Sequence, residues 1–294
     1  MQGAKSFWPA VAVACLAFLS AGCGIGGRYR AVAEWELSQD FAFVTPVALW
    51  AEGDILYVAG SQRYVVEFTG KGDIRRQWGY EYLVHPADIA LDRQGNTYVS
   101  DRTRRQVFKF RRDGKLLGRL GAPGKGPGFF GSPNSLAVMP DGSLLVLDQR
   151  WRTLTRFDVD GRLLDYKEDF DAWSIATDKK GNMYAITFKR DQVKKFGPEG
   201  RLLATWGGKG TQPGKFGTAN DIATDSAGRV YVLETGNRRV QVFTAQGKPV
   251  GLFGAAVLPG RDFQPVCVAV DKAGYIYVAN APDGHILKIA PPGL

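Results

Sequence analysis

The chain repeats itself, and that constrains its fold more than any other feature. Six segments share one order: a small apolar strand, a turn of the Asp-x-x-Gly kind, a second apolar strand, a polar loop, a third strand ending in an aromatic residue, and another glycine turn. The second strands read Ile55-Leu56-Tyr57-Val58, Thr97-Tyr98-Val99, Leu144-Leu145-Val146, Met183-Tyr184-Ala185, Val230-Tyr231-Val232 and Ile276-Tyr277-Val278. Gly53, Gly95, Gly142, Gly181, Gly228 and Gly274 head them, about 40 to 47 residues apart. That period is the length of a four-stranded propeller blade. Nothing between the repeats has a helical period, which excludes an α/β domain. The expected fold is all-β, a six-bladed β-propeller over residues 31–294.

After the third strands come turns such as Arg112-Asp113-Gly114-Lys115, Val159-Asp160-Gly161-Arg162, Pro198-Glu199-Gly200-Arg201 and Ala245-Gln246-Gly247-Lys248. Glycine there supplies the positive φ of a tight hairpin. A fourth strand follows, ending at Trp78-Gly79, Leu120-Gly121, Trp206-Gly207 or Phe253-Gly254. The sixth repeat, however, stops after three strands at Ile289-Ala290, which would leave an open sheet edge. An orphan strand before the first repeat, Ala31-Val32-Ala33-Glu34-Trp35, has the character of the fourth strands Ile74 to Trp78 and Leu202 to Trp206. It is expected to complete the last blade and close the ring.

The stretch Gly228-Arg229-Val230-Tyr231-Val232-Leu233-Glu234-Thr235-Gly236-Asn237-Arg238-Arg239-Val240-Gln241-Val242-Phe243 resembles an NHL repeat, and the resemblance extends from about Val32 to Ala290. Other copies are degenerate. The position of Asn237 is taken by Arg104, Trp151, Arg190 and Asp283, and that of Arg239 by Gln106, Thr153, Gln192 and His285. The resemblance implies the propeller fold but no single activity, since NHL propellers serve as sensors, as RNA- or protein-binding modules and occasionally as lyases. Lyases of this kind use several histidines. With only His85 and His285, a histidine-based zinc or triad mechanism is not expected, nor is any cofactor.

The N-terminus reads as a targeting segment: Lys5 precedes an apolar run from Trp8 to Ser20 that is too short to span a bilayer comfortably. Leu19-Ser20-Ala21-Gly22-Cys23 resembles the lipobox of bacterial lipoproteins, with Ser20 departing from the usual aliphatic residue. Cleavage at Cys15 instead would leave too short an apolar region. The expected organisation is a signal peptide over 1–22, a tether over 23–30 lipidated at Cys23, and the propeller beyond. Gly24 stands where an aspartate would signal inner-membrane retention, so the cell envelope, at the outer membrane, is the expected location. Processing at Cys23 leaves Cys267 as the one other cysteine, so no internal disulfide is available.

Two candidate sites follow. The net charge of +9 favours acidic partners. In a propeller, the loops joining second to third strands share a face with the inter-blade loops. Here they carry Arg63, then Arg102, Arg104 and Arg105, then Arg150 and Arg152, then Lys189 and Arg190, then Arg238 and Arg239, against Asp101, Asp148, Asp191, Glu234 and Asp283. Tyr64, Phe129, Trp151, Phe188 and Phe216 fall in or beside those loops. Arg104, Arg105, Arg150, Trp151, Arg152, Arg190 and Arg238 are therefore the candidate ligand face, for an acidic protein or an anionic glycan or glycolipid. A monomer is expected, and export argues against a nucleic acid as partner.

The second site is the channel mouth. Asp88, Ser135, Ser174, Asp221 and Cys267 begin the innermost strands, with Asn134 and Asn220 just before two of them. Asp88 and Asp221 belong to opposite blades. Six-bladed lactonases and phosphotriesterases hold calcium in such a place, which makes a calcium-dependent hydrolase the alternative reading. Carboxylates at loop-to-strand junctions also serve as ordinary turn chemistry. The loops Gly121 to Asn134 and Gly207 to Asn220 are glycine-rich, but a strand follows each where a phosphate cradle needs a helix.

Overall fold

The computed structural model describes residues 29–36, 45–61, 63–257, 262–281 and 284–294. Six four-stranded antiparallel sheets surround a central channel. Blades 1 to 5 span residues 46–78, 86–120, 133–167, 174–207 and 219–254 in chain order. Blade 6 takes three strands from Pro265–Val270, Ile276–Asn280 and His285–Ala290. Its fourth strand is Arg30–Glu36, paired antiparallel with His285–Ala290. The ring is thus closed by the first described strand, as its sequence implied.

The register shows why that strand substitutes for a fourth strand. Trp35 pairs with Ile286 as Trp78 pairs with Val65 and Trp206 with Val193. Each of these rings covers the outer-hairpin glycine of the next blade. A Cβ on Gly72 would lie 2.4 Å from Trp35, on Gly114 2.9 Å from Trp78, and on Gly247 2.5 Å from Trp206. Those glycines also have φ of 90°, 88° and 83°, so both shape and conformation require the absent side chain.

The core is divided among the seams between blades. Trp35, Leu56, Phe68 and Tyr277 pack between blades 6 and 1, whereas Tyr231, Val242, Phe253 and Val278 pack between blades 5 and 6. In four blades the Asp-x-x-Gly turn is locked to the second strand, with Tyr98, Tyr184, Tyr231 and Tyr277 donating to Asp92, Asp178, Asp225 and Asp271 at 2.9 to 3.4 Å. These tyrosines are at most 2% exposed, so the hydroxyl needs that acceptor. The first strands start at proline in four blades, Pro46, Pro86, Pro133 and Pro265, where a missing N–H is tolerated. A register shift follows the first residue in blades 1, 2, 3, 5 and 6. Such a bulge re-aims the next side chains, and it precedes the residues that line the channel.

Candidate functional site

First and second strands are antiparallel, with Pro133 opposite Asp148 and Ala219 opposite Glu234. The loops after the second strands therefore surround the mouth at which the first strands begin. Six non-glycine residues among those described have positive φ, and five are arginines in these loops: Arg63 (65°), Arg105 (54°), Arg152 (54°), Arg190 (59°) and Arg238 (49°). Gly284, at 65°, holds the matching place in blade 6. Left-handed backbone costs a residue with a Cβ about 1 kcal/mol or more, and Gly or Asn is the usual solution. The turn itself does not call for arginine, and of the five Arg63 alone donates to a backbone carbonyl among the described residues, that of Leu83 at 3.0 Å. Arg63, Arg105, Arg152 and Arg238 are exposed and Arg190 is half-buried.

Several guanidinium groups lie on aromatic rings. Arg190 sits 3.3 Å from the Trp173 ring centroid, and burial pulls its pKa down. Arg152 lies over Phe188 at 5.7 Å, and Phe188 meets Trp173 edge-on at 6.1 Å. Arg150 covers Trp151 at 4.9 Å, with Lys125 at 5.8 Å. Arg238 pairs with Asp262 at 2.6 Å, both side chains being about half exposed. The Arg105 side chain has no hydrogen bond or ion pair among the described residues. Arg102 stands near the mouth, where burial lowers its pKa and Asp88 opposes that.

Two residues of the expected ligand face serve the scaffold. Arg104 donates through Nε to the carbonyl of Tyr82 at 3.2 Å, and Trp151 through Nε1 to that of Gly124 at 2.6 Å. Asn237, at the same repeat position, donates to Gly210 at 2.9 Å. In these three blades a guanidinium, an indole and an amide each reach the preceding inter-blade linker from that position, whereas Arg190 in blade 4 lies on Trp173 instead. Three of the acids set against the arginines are likewise internal, while Asp191 is half-buried. Asp101, Asp148 and Glu234 are fully buried. Asp101 accepts from Val84, His85, Thr103 and Arg104 N–H, Asp148 from Gly131, Ser132 and Trp151 N–H, and Glu234 binds Arg239 at 2.6 Å.

Along the channel, a space of about 120 Å³ is lined by Asp88 and Asp221 among apolar first-strand residues. Asp88 accepts from Ile89 N–H at 2.8 Å and, across the seam, from Leu136 N–H at 2.7 Å. Asp221 does the same with Ile222 at 2.9 Å and Val268 at 2.8 Å. Ser135 accepts from Ile175 N–H at 3.1 Å, and Ser174 donates to Asp221 at 3.3 Å. Asn134 and Asn220 donate to the carbonyls of Trp173 and Val266 in the next blade. These side chains work as staples between blades. Burial and repulsion from Asp221 push the pKa of Asp88 up to about 7, and burial raises Asp221 to about 6. Burial, with both carboxylates adding, keeps Cys267 a thiol. Among the described residues no three His, Cys, Asp or Glu side chains gather as a metal-binding group.

His85 bonds Thr103 at 2.7 Å, and His285 faces Glu34 at 3.8 Å. Cys23, the signal segment and Asp283 lie outside the described residues. Trp173 was not legible as a mouth residue, because blade 4 enters its first strand without the proline and bulge that mark the others.

The family DUF5128, a 6-bladed beta-propeller, matches residues 83–197, and the NHL repeat model matches 216–243. Human NHL repeat-containing protein 3 is 28% identical over 199 residues, covering 61% of this chain and 44% of the relative. Mouse peptidyl-glycine alpha-amidating monooxygenase is 23% identical over 252 residues, 76% of this chain and 21% of its own length. The chain thus spans less than half of each of these curated relatives. The crystal structure of virginiamycin B lyase from Staphylococcus aureus aligns over 90% of this chain and 99% of its own, with a TM-score of 0.63 at 10% identity, a likeness of fold alone.

Proposed function

We propose that this six-bladed β-propeller, which carries an NHL repeat at residues 216–243, acts as a lipid-anchored binding scaffold that presents its basic loop face to an acidic protein or anionic glycan in the cell envelope. The observation that carries this reading is the left-handed arginine in five of the six blades. Arg63, Arg105, Arg152 and Arg238 share one loop position and Arg190 stands one residue earlier in its loop; a left-handed turn filled repeatedly by the same long cation supports selection for the cation. Rings beneath Arg150, Arg152 and Arg190 add flat surfaces that hold those groups in place. The calcium-hydrolase alternative draws less support, since both carboxylate oxygens of Asp88 and of Asp221 already accept backbone N–H groups.

The test is charge reversal. Changing Arg105, Arg152 and Arg238 together to Glu weakens retention on an immobilised polyanion and removes partners captured from envelope extract. Binding to the unchanged protein falls as salt rises, because exposed charges are screened over about 8 Å at physiological ionic strength. Identical retention by both proteins would reduce the arginines to a solvated rim.

A further inference from the structure

Where consecutive blades join, a glycine ends the outer strand and an apolar side chain farther along fills the space beside it. The pairs are Gly121 with Phe130, Gly207 with Phe216, and Gly79 with Leu83, where a Cβ on the glycine would come within 2.3, 2.6 and 2.7 Å of the filler. Eight residues separate each of the first two pairs and form an arch, pinned by Trp151 in one case and by Asn237 and Arg239 in the other. Only three separate Gly79 from Leu83. The rim between blades 1 and 2 is therefore left open. A cleft of about 540 Å³ remains, walled by Tyr64, Trp78, Tyr80 and Tyr82.

The short linker holds its rings in a fixed geometry. Tyr82 and Leu83 N–H both donate to the Gly79 carbonyl at 2.8 Å. Arg63 Nε donates to Leu83 O at 3.0 Å while its guanidinium lies 5.1 Å over the Tyr80 ring, and Arg104 holds Tyr82 O. Tyr82 packs on Phe110 at 6.0 Å. Tyr80 is nevertheless 64% exposed, the most exposed large hydrophobic residue among those described. The fold anchors the segment firmly and leaves the ring in water.

The polar groups that line this cleft, Gln77, Glu81 and Lys115, sum to no net charge, and Arg63 adds one guanidinium over Tyr80, so a ligand must both stack on rings and make hydrogen bonds. A purely apolar ligand would strip water from an acid, an ammonium and an amide without replacing their hydrogen bonds. A pyranose ring meets both demands, offering an apolar C–H face to tyrosine and a hydroxyl edge to acid, amide and ammonium. The volume also falls within the range of small-molecule sites, about 300 to 1,000 Å³. We propose that the blade 1–2 cleft binds a neutral sugar residue of a glycan. Arg63 borders both this cleft and the basic face, so uncharged sugars, whose binding does not draw on the charge-driven contact, distinguish the two.

The full chain in detergent, titrated with maltose, cellobiose and N,N′-diacetylchitobiose by saturation-transfer NMR and calorimetry, tests the assignment. Decaproline serves as a peptide control, because aromatic-lined grooves also accept polyproline. At least one disaccharide binds saturably. Tyr80→Ala weakens it about fivefold, the value of one ring contact, without lowering the melting temperature. Tyr80→Phe retains most of the affinity, and Lys179→Glu, an exposed turn residue of blade 4, leaves it unchanged. Absence of saturable disaccharide binding, indifference to Tyr80→Ala, or binding of decaproline alone would each overturn the proposal.

Discussion

Arg105 holds a left-handed backbone at φ 54° with no partner for its side chain among the described residues. Arg105→Asn relieves that strain, because Asn tolerates the left-handed region through its short polar side chain. The expected result is a protein as stable as the parent or more so, by about 0.5 to 1 kcal/mol, with weaker polyanion binding. Chemical denaturation and a salt-gradient column read the two effects, and a loss of stability would mean the arginine serves the fold. Asp88 and Asp221 carry a second prediction. Their folded pKa values, about 7 and 6, lie above the unfolded value, so the folded state holds extra protons. The contribution is complete below about pH 4 and is lost as pH rises through 6 to 7. This pair therefore lowers stability as pH rises from 5 to 8. Asp88→Asn should flatten that slope in melting curves taken across the range.

Within the loops, one hydrogen bond explains a degenerate repeat position. Arg104, Trp151 and Asn237 share no chemistry except a donor that reaches the linker before their blade. Trp151→Phe keeps the ring between Arg150 and Lys125 but removes the N–H. It should cost about 1 kcal/mol, and amides of residues 122–129 should exchange faster with solvent. Unchanged exchange there would remove Trp151 from the scaffold and return it to the ligand face. The acids are a related case. Asp101 and Asp148 look like surface charge in the sequence, yet they organise the turns that carry the arginines, and their burial makes the outer layer of this face more basic than a count of loop residues implies.

Taken as a whole, the ring depends on a strand separated from its partner by almost the full chain. Deleting residues 29–36 exposes the edge of His285–Ala290 and strips Trp35 from Tyr277 and Gly72. The loss should be at least about 3 kcal/mol, read as a lower denaturation midpoint, and an unchanged midpoint would contradict closure by this strand. Anchoring is tested on the full chain as well. Cys23→Ser should leave an unprocessed precursor or release the protein into the soluble fraction, and in either case abolish labelling by fatty acid. Labelling that persists would exclude Cys23 as the acceptor.

The sequence by itself determined the number of blades, their strands and the closing strand, because glycine turns and alternating apolar runs act locally and recur at a fixed spacing. It also put Asp88 and Asp221 on the innermost strands, where they line the channel space. Tertiary structure alone decided which of those groups are already engaged. Whether Trp151 meets a ligand or a carbonyl, and whether Asp101 faces water or four N–H groups, depends on linkers from a neighbouring blade. The cleft at Tyr80 shows the same limit. A linker five residues shorter is visible in the sequence, but the space it opens exists only between two packed blades.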